Sequence, residues 1–298
     1  LRAQWAQTNE PSGAVFSLGI SGTSLLAGTM NGVFRSTDYG DTWNLTLPNS
    51  VLPFVQGFVL DSTGTGSINN YAGGQGGVYL STDDGLNWRS VNAGLEDKEV
   101  RSLALIPNEI EGSTLFAGTT EGVFRSSDNG TSWLPSGFTD NNCPIYALIV
   151  IKDETDGTII LAGIDREFSN LSNCIFRSTD NGQSWIETYS PTLWASSFAI
   201  TPNSTGGTNI FVGTYSGVYL STDNGVSWTH LNIGEQRSVW TLVTNTNESG
   251  SVNLFAGTFL GGVFLTTNNG SNWSTINSGL LYDNDWIYSL AVSGQYIF

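Results

Sequence analysis

An eight-residue phrase, Ser-x-Asp-x-Gly-x-x-Trp, returns six times along the chain. It constrains the fold more than any other feature of the sequence. The first copy runs from Ser36 through Asp38 and Gly40 to Trp43. The next four carry Asp83, Asp128, Asp180 and Asp223 and end at Trp88, Trp133, Trp185 and Trp228. The sixth is looser, with Thr266, Asn268, Gly270 and Trp273 at the same places. The Trp-to-Trp steps are 45, 45, 52, 43 and 45 residues. A self-similar period of that length signals a repeat architecture, in which each unit buries its apolar face against its neighbours.

Every unit has the same grammar around its box. An alternating run comes first, as in Val15–Ile20 and Val100–Leu105. A Leu/Phe-Ala-Gly-Thr segment follows, as in Leu26–Thr29, Phe116–Thr119 and Phe255–Thr258. Gly-Val-Phe/Tyr then leads into the box, as at Gly32–Phe34, Gly77–Tyr79 and Gly217–Tyr219, and a fourth strand is expected after the box Trp. Four short strands every ~45 residues match a propeller blade. The box itself suits a tight hairpin. Its Gly tolerates a positive φ, its Asp or Asn accepts backbone N–H groups across the turn, its Ser closes the loop and its Trp gives apolar cover. Asp38, Asp83, Asp128, Asp180, Asp223 and Asn268 are therefore read as structural.

These boxes resemble those of the BNR or Asp-box repeat propellers, and the resemblance extends over essentially the whole chain. Sialidases, photosystem II assembly-factor propellers, xyloglucan-cleaving glycosidases and sortilin-type receptors carry such boxes, as do secreted bacterial repeat proteins. The resemblance implies an all-β propeller of four-stranded antiparallel blades whose ligands meet the face opposite the boxes. It does not imply one activity, because this fold hosts many.

The termini extend the count. Trp5 stands where a fourth strand would follow a box, and Ile287–Val292 with Gln295–Phe298 read as first and second strands. We therefore expect one domain over 1–298: six box-bearing blades and a seventh shared by the two termini, which would leave no open sheet edge. That blade lacks a third strand and a box as the sequence stands. The chain is thus expected to be a cropped product or a window on a longer array.

Composition narrows the partners. The chain has 298 residues with Lys plus Arg 10 and Asp plus Glu 26, a net charge of −16. So acidic a surface repels phosphate backbones, which excludes nucleic acid as a natural partner. No apolar run approaches a membrane span. One histidine, His230, and two cysteines exclude a His/Cys zinc site, and no cofactor is expected. Cys143 and Cys174 fall in loops of one blade on the face opposite the boxes. They form a disulfide or two buried thiols, and a composition of secreted type favours the disulfide.

Six of the ten Trp residues belong to boxes and Trp5 fits the seventh position, which leaves Trp194, Trp240 and Trp286. Aligning the units puts Trp194 and Trp286 just before a first strand and Trp240 inside one, in three consecutive blades. Tyr215, Phe259, Leu260, Tyr282, Asp283 and Asp285 are nearby in loops. Aromatic rings and carboxylates together suit a carbohydrate; the alternative is that these Trp fill gaps between blades. The second position of the first strands reads Phe16, Gln56, Arg101, Tyr146, Ser196, Trp240 and Tyr288, and varies while its neighbours repeat.

Sialidase chemistry is not expected. It needs a converging arginine cluster, whereas Arg35, Arg125 and Arg177 share one repeat position leading toward the boxes. Two carboxylates about 5–10 Å apart would serve a glycosidase. Loop acids such as Glu96, Asp97, Glu99, Asp140, Asp165, Glu167, Glu235, Asp283 and Asp285 offer candidates, but no pair stands out. Asp283-Asn284-Asp285 reads as a turn before it reads as a calcium site. The leading expectation is a non-catalytic extracellular binding or scaffold propeller, its partner a carbohydrate or another extracellular protein. The alternative is a glycoside hydrolase or lyase working through top-loop carboxylates.

Overall fold

The computed structural model describes residues 5–6, 11, 13–61, 68–95, 99–107, 112–138, 143–153, 157–165, 173–188, 194–203, 206–234, 237–246, 252–280 and 286–298. Six antiparallel sheets of four strands follow one another along the chain. Blade one is β1 (Val15–Ser21), β2 (Ser24–Thr29), β3 (Gly32–Ser36) and β4 (Asn44–Pro48). Blade two is β5 (Gly57–Asp61), β6 (Asn69–Gly74), β7 (Gly77–Ser81) and β8 (Arg89–Ser90). Blade three is β9 (Val100–Ile106), β10 (Thr114–Thr119), β11 (Gly122–Ser126) and β12 (Leu134–Pro135). Blade four is β13 (Ile145–Asp153), β14 (Gly157–Ile164), β15 (Ile175–Ser178) and β16 (Ile186–Thr188). Blade five is β17 (Ala195–Pro202), β18 (Thr208–Thr214), β19 (Gly217–Ser221) and β20 (Thr229–Leu231). Blade six is β21 (Val239–Thr246), β22 (Val252–Thr258), β23 (Val263–Thr266) and β24 (Ser274–Thr275). The first strands touch in series from β1 to β21, so they form the inner wall of a propeller.

The expected seventh blade is not found. After blade six the described chain forms only a two-stranded ribbon, β25 (Val292–Ser293) and β26 (Tyr296–Ile297). Ile287–Ala291 is irregular where a first strand was expected. This segment is pinned between its neighbours: Leu18 N–H donates to Ser289 Oγ (3.0 Å) and Ile287 N–H to Thr258 O (3.1 Å). Trp5 docks on blade six, its N–H donating to Ser278 O (2.9 Å) and its indole to Ile276 O (2.5 Å). Trp133 treats blade two in the same way, through Ala93 O (2.8 Å) and Val91 O (2.8 Å). Trp5 therefore makes a box-Trp contact without a four-stranded blade of its own. Among the described residues the propeller has six four-stranded blades, not seven.

The box geometry repeats almost atom for atom. Gly40 N–H donates to Ser36 Oγ (2.8 Å), and the Ser36 hydroxyl donates to Asp38 Oδ1 (2.7 Å). Asp38 also accepts the Thr42 N–H (2.9 Å) and hydroxyl (2.6 Å). Ser132, Ser184 and Ser227 do the same for Asp128, Asp180 and Asp223, and Asn87 does so for Asp83 through its N–H and its side-chain amide. In the sixth box Asn268 Oδ1 accepts from Thr266 Oγ1 (2.9 Å) and Asn272 N–H (3.0 Å). Charged acceptors strengthen such bonds. They hold the Asp38 and Asp180 carboxyls down at about 2, led by the side-chain hydroxyls of Thr42 and Ser184. The residue before each box Gly is also left-handed, from Tyr39 (φ 60°) to Asn269 (φ 54°). Five of those six are Asp or Asn, the residue types that tolerate the region best after Gly, and Tyr39 is the exception.

Each box also locks its blade to the one before. Leu26, Tyr71, Phe116, Leu161, Phe211 and Phe255 occupy one position of the second strands and are all buried. The next blade's box Gly lies against that side chain: a Cβ on Gly182 would stand 2.8 Å from Phe116, and one on Gly225 2.9 Å from Leu161. Arg35 Nε donates to Asp84 O (2.7 Å) and its Nη2 to the Asp84 carboxylate (2.7 Å), while Arg177 Nε donates to Asn224 O (2.8 Å). These arginines clasp neighbouring boxes, on the side of the molecule the sequence assigned them.

Cys143 and Cys174 are both wholly buried in one core cluster, at the end of β14 where Ile164 N–H donates to Cys174 O (2.9 Å). We carry their disulfide as a proposal. Thiol titration of the denatured protein is expected to find no thiol before reduction and both after it; two thiols before reduction dismiss the bond. No helix among the described residues is long and apolar enough to cross a membrane.

Candidate ligand-binding site

Antiparallel alternation puts the start of each first strand and each turn between second and third strands at one end of the sheets. The boxes, which join third to fourth strands, lie at the other. The end without boxes is the top face, and the variable second position of the first strands belongs to it. In five blades this residue is the extra one in a β-bulge: the ladder skips Phe16, Arg101, Tyr146, Ser196 and Trp240. A bulge re-aims one side chain without disturbing the strand beyond it. That explains why this column varies while its neighbours repeat.

The re-aimed side chains meet around the top of the inner wall. Phe54 packs on Phe16 (ring centroids 6.0 Å), Phe16 on Tyr288 (5.6 Å) and Tyr288 on Trp240 (4.7 Å). Trp240 meets Trp194 (6.3 Å), and Trp194 meets Tyr146 (5.9 Å). Arg101 then stacks over Tyr146 (4.6 Å) and pairs with Glu99 (3.2 Å), which accepts the Gln56 amide (3.0 Å). One arc of the mouth is thus aromatic and the other is a charged fork. Ser196 leaves the circuit, its hydroxyl donating to Val239 O (2.6 Å).

On the aromatic arc lies an open cavity of about 430 Å³, lined by Trp194, Tyr215, Arg237, Ser238, Trp240, Phe259 and Leu260. That size falls within the ~300–1,000 Å³ range of small-ligand sites. Of the residues the sequence singled out, Trp194, Trp240, Tyr215 and Phe259 are brought together in this one cavity. Trp286 does not line it but borders it, half exposed, 4.9 Å from Phe259 and 6.2 Å from Trp240. Trp240 also stacks on Phe259 (5.4 Å, 23°), so it fills space between blades as well as facing the cavity. Tyr282, Asp283 and Asp285 lie outside the described residues, as do Glu96, Asp97, Asp140, Glu167 and Glu235.

Sequence reasoning missed Arg237. It precedes β21 in the loop that carries Glu235, and a search for loop cations would have found it where a search for carboxylates did not. Its Nη1 donates to Leu260 O (3.1 Å) and its guanidinium sits 5.3 Å from the Phe264 ring. Leu260 offers that carbonyl from a left-handed backbone (φ 57°), an uncommon conformation for a bulky residue. No group of three or more His, Cys, Asp or Glu residues that could hold a metal occurs among the described residues.

No family model and no curated protein sequence matches the chain. Among solved structures it is similar to the GH74 xyloglucanase from Xanthomonas campestris, with TM-score 0.69 and 15% identity over 96% of this chain and 50% of that one. It is also similar to the extracellular domain of BT4673 from B. thetaiotaomicron, with TM-score 0.68 and 16% identity over 97% of this chain and 37% of that one. A third similar structure is YCF48 bound to D1 peptide, with TM-score 0.61 and 15% identity over 91% of this chain and 82% of that one. The chain spans half or less of the first two. At such identities the likeness shows the propeller fold and carries no activity with it.

Proposed function

We propose that this chain is a non-catalytic, extracellular binding propeller that takes a carbohydrate at the aromatic cavity of its top face. One observation carries the reading: Trp194, Tyr215, Trp240 and Phe259, contributed by separate loops and strands, line a single open cavity. Aromatic rings offer apolar faces that sugar rings cover. The Ser238 hydroxyl accepts from the Trp240 indole (3.1 Å), which leaves its own proton to donate outward. Tyr215, 66% exposed, offers an open ring face for a ligand to cover.

The test is a glycan array probed with the folded chain and with Trp194→Ala and Trp240→Ala. Hits that weaken about tenfold in each variant are expected, the size of one lost aromatic contact. A blank array from demonstrably folded protein overturns the reading and leaves a scaffold whose partner is another protein. Any hit is then incubated and assayed for cleavage. Product release abolished by Asp283→Asn or Asp285→Asn, with binding kept, replaces the binding module by a carbohydrate-active enzyme.

A further inference from the structure

Among the described residues lining the cavity, Arg237 is the only charged one. The ion pairs between described residues, Arg35–Asp84 and Arg101–Glu99, leave it out. Its Nε is buried without a hydrogen-bond partner. One contact, from Nη1 to Leu260 O, and the Phe264 ring beneath it fix the fork in place. In a chain of net charge −16, a held guanidinium among aromatic rings and without a described carboxylate partner is out of balance. Arg presents parallel N–H donors that match a carboxylate in two-point contact, and the pairing strengthens where aromatic walls displace water.

Resting on the carbohydrate reading above, we propose that the cavity selects a sugar bearing a single carboxylate, a uronate residue within an otherwise neutral oligosaccharide. The uronate ring covers the Trp240 and Trp194 side of the cavity while its carboxylate meets Arg237. The acidic surface sets the limit on charge. Its repulsion is screened beyond about 8 Å at physiological ionic strength, so one carboxylate beside Arg237 gains more than it loses. A run of uronates places further carboxylates against a chain of net charge −16, with no second cation among the described residues lining the cavity.

The experiment titrates the intact chain with three oligosaccharides built on four-residue backbones: neutral xylotetraose, xylotetraose carrying one glucuronate branch, and tetragalacturonate. The singly charged ligand is expected to bind about tenfold tighter than the neutral one, the scale of one charge-assisted hydrogen bond. Tetragalacturonate is expected to bind more weakly than the singly charged ligand at low salt, and added salt is expected to narrow that gap. Arg237→Gln should bring the affinities for the neutral and singly charged ligands together, and Arg237→Lys should retain part of the preference. Thermal melts confirm that both variants are folded. Equal affinity for neutral and singly charged ligands overturns the inference and leaves the carbohydrate reading standing, as does a preference that survives Arg237→Gln. Failure of all three ligands, together with a blank array, overturns both.

Discussion

Replacing Phe116 with alanine is expected to cost about 3–5 kcal/mol of stability, the range for truncating a buried aromatic that leaves a cavity. Phe116 is fully buried, sits in the largest core cluster and supports the box turn of the next blade through Gly182. The turn cannot settle into the vacated space easily, because Gly182 N–H is tied to Ser178 Oγ (2.9 Å) and Ser136 Oγ donates to Gly182 O (2.6 Å). Against a total stability of about 5–15 kcal/mol, the loss is a large fraction. The melting temperature should fall by roughly 10 °C for a domain of this size. Chemical denaturation checks it: the midpoint moves down while the slope stays constant. A loss under about 1 kcal/mol would sink the idea that box and second strand interlock. Trp194→Ala supplies the contrast, since its ring lines an open cavity; it should weaken ligand and move the midpoint far less.

The same contrast explains how much could be read from the sequence. The box, the four-strand grammar and the fully buried second-strand position are local and periodic, and repetition makes a local signal unmistakable. The gathering of Trp194, Trp240, Tyr215 and Phe259 was legible for the same reason, because aligning units also aligns their loops. Blade number was not. It depends on how the termini pack, and Trp5 with Val292–Ile297 gives a docked indole and a two-residue-stranded ribbon in place of a blade. The bulges were hidden as well. The varying column of Phe16, Arg101, Tyr146, Ser196 and Trp240 could be seen, but that the ladder skips each of them is a property of pairing, not of any one strand. Arg237 escaped because its environment is assembled from Leu260 and Phe264, which lie on later elements of the chain.

Acid should unfold this propeller through its boxes. Asp38 and Asp180 are held at about 2 by the hydrogen bonds of their turns. Asp83 is also lowered, chiefly by the Asn87 side chain. At Asp128 and Asp223 burial pushes the carboxyls up, yet the bonds from Ser132 and Ser227 and their neighbours prevail and the net direction is down. A carboxyl whose folded value lies below its unfolded value of about 3.9 adds stability above that unfolded value. The contribution is lost as pH falls through the folded value, so the window runs from about 4 down to about 2. Within it the unfolded chain binds more protons than the folded one, and stability must rise with pH. Relief of mutual repulsion in a chain of net charge −16 acts in the opposite sense at higher pH, as the excess of negative charge is first titrated away. The melting temperature is therefore expected to hold or rise slightly on mild acidification, then to drop steeply below pH 4. Asp128→Asn copies what Asn268 already does in the sixth box, where an amide oxygen accepts the same turn bonds without charge. The variant should be less stable than the parent at pH 7, show a shallower fall in acid and close on the parent as the pH falls. Melting curves from pH 7 to pH 2 decide it, and a gap between variant and parent that stays constant across that range would remove the box carboxylates from the account of acid unfolding.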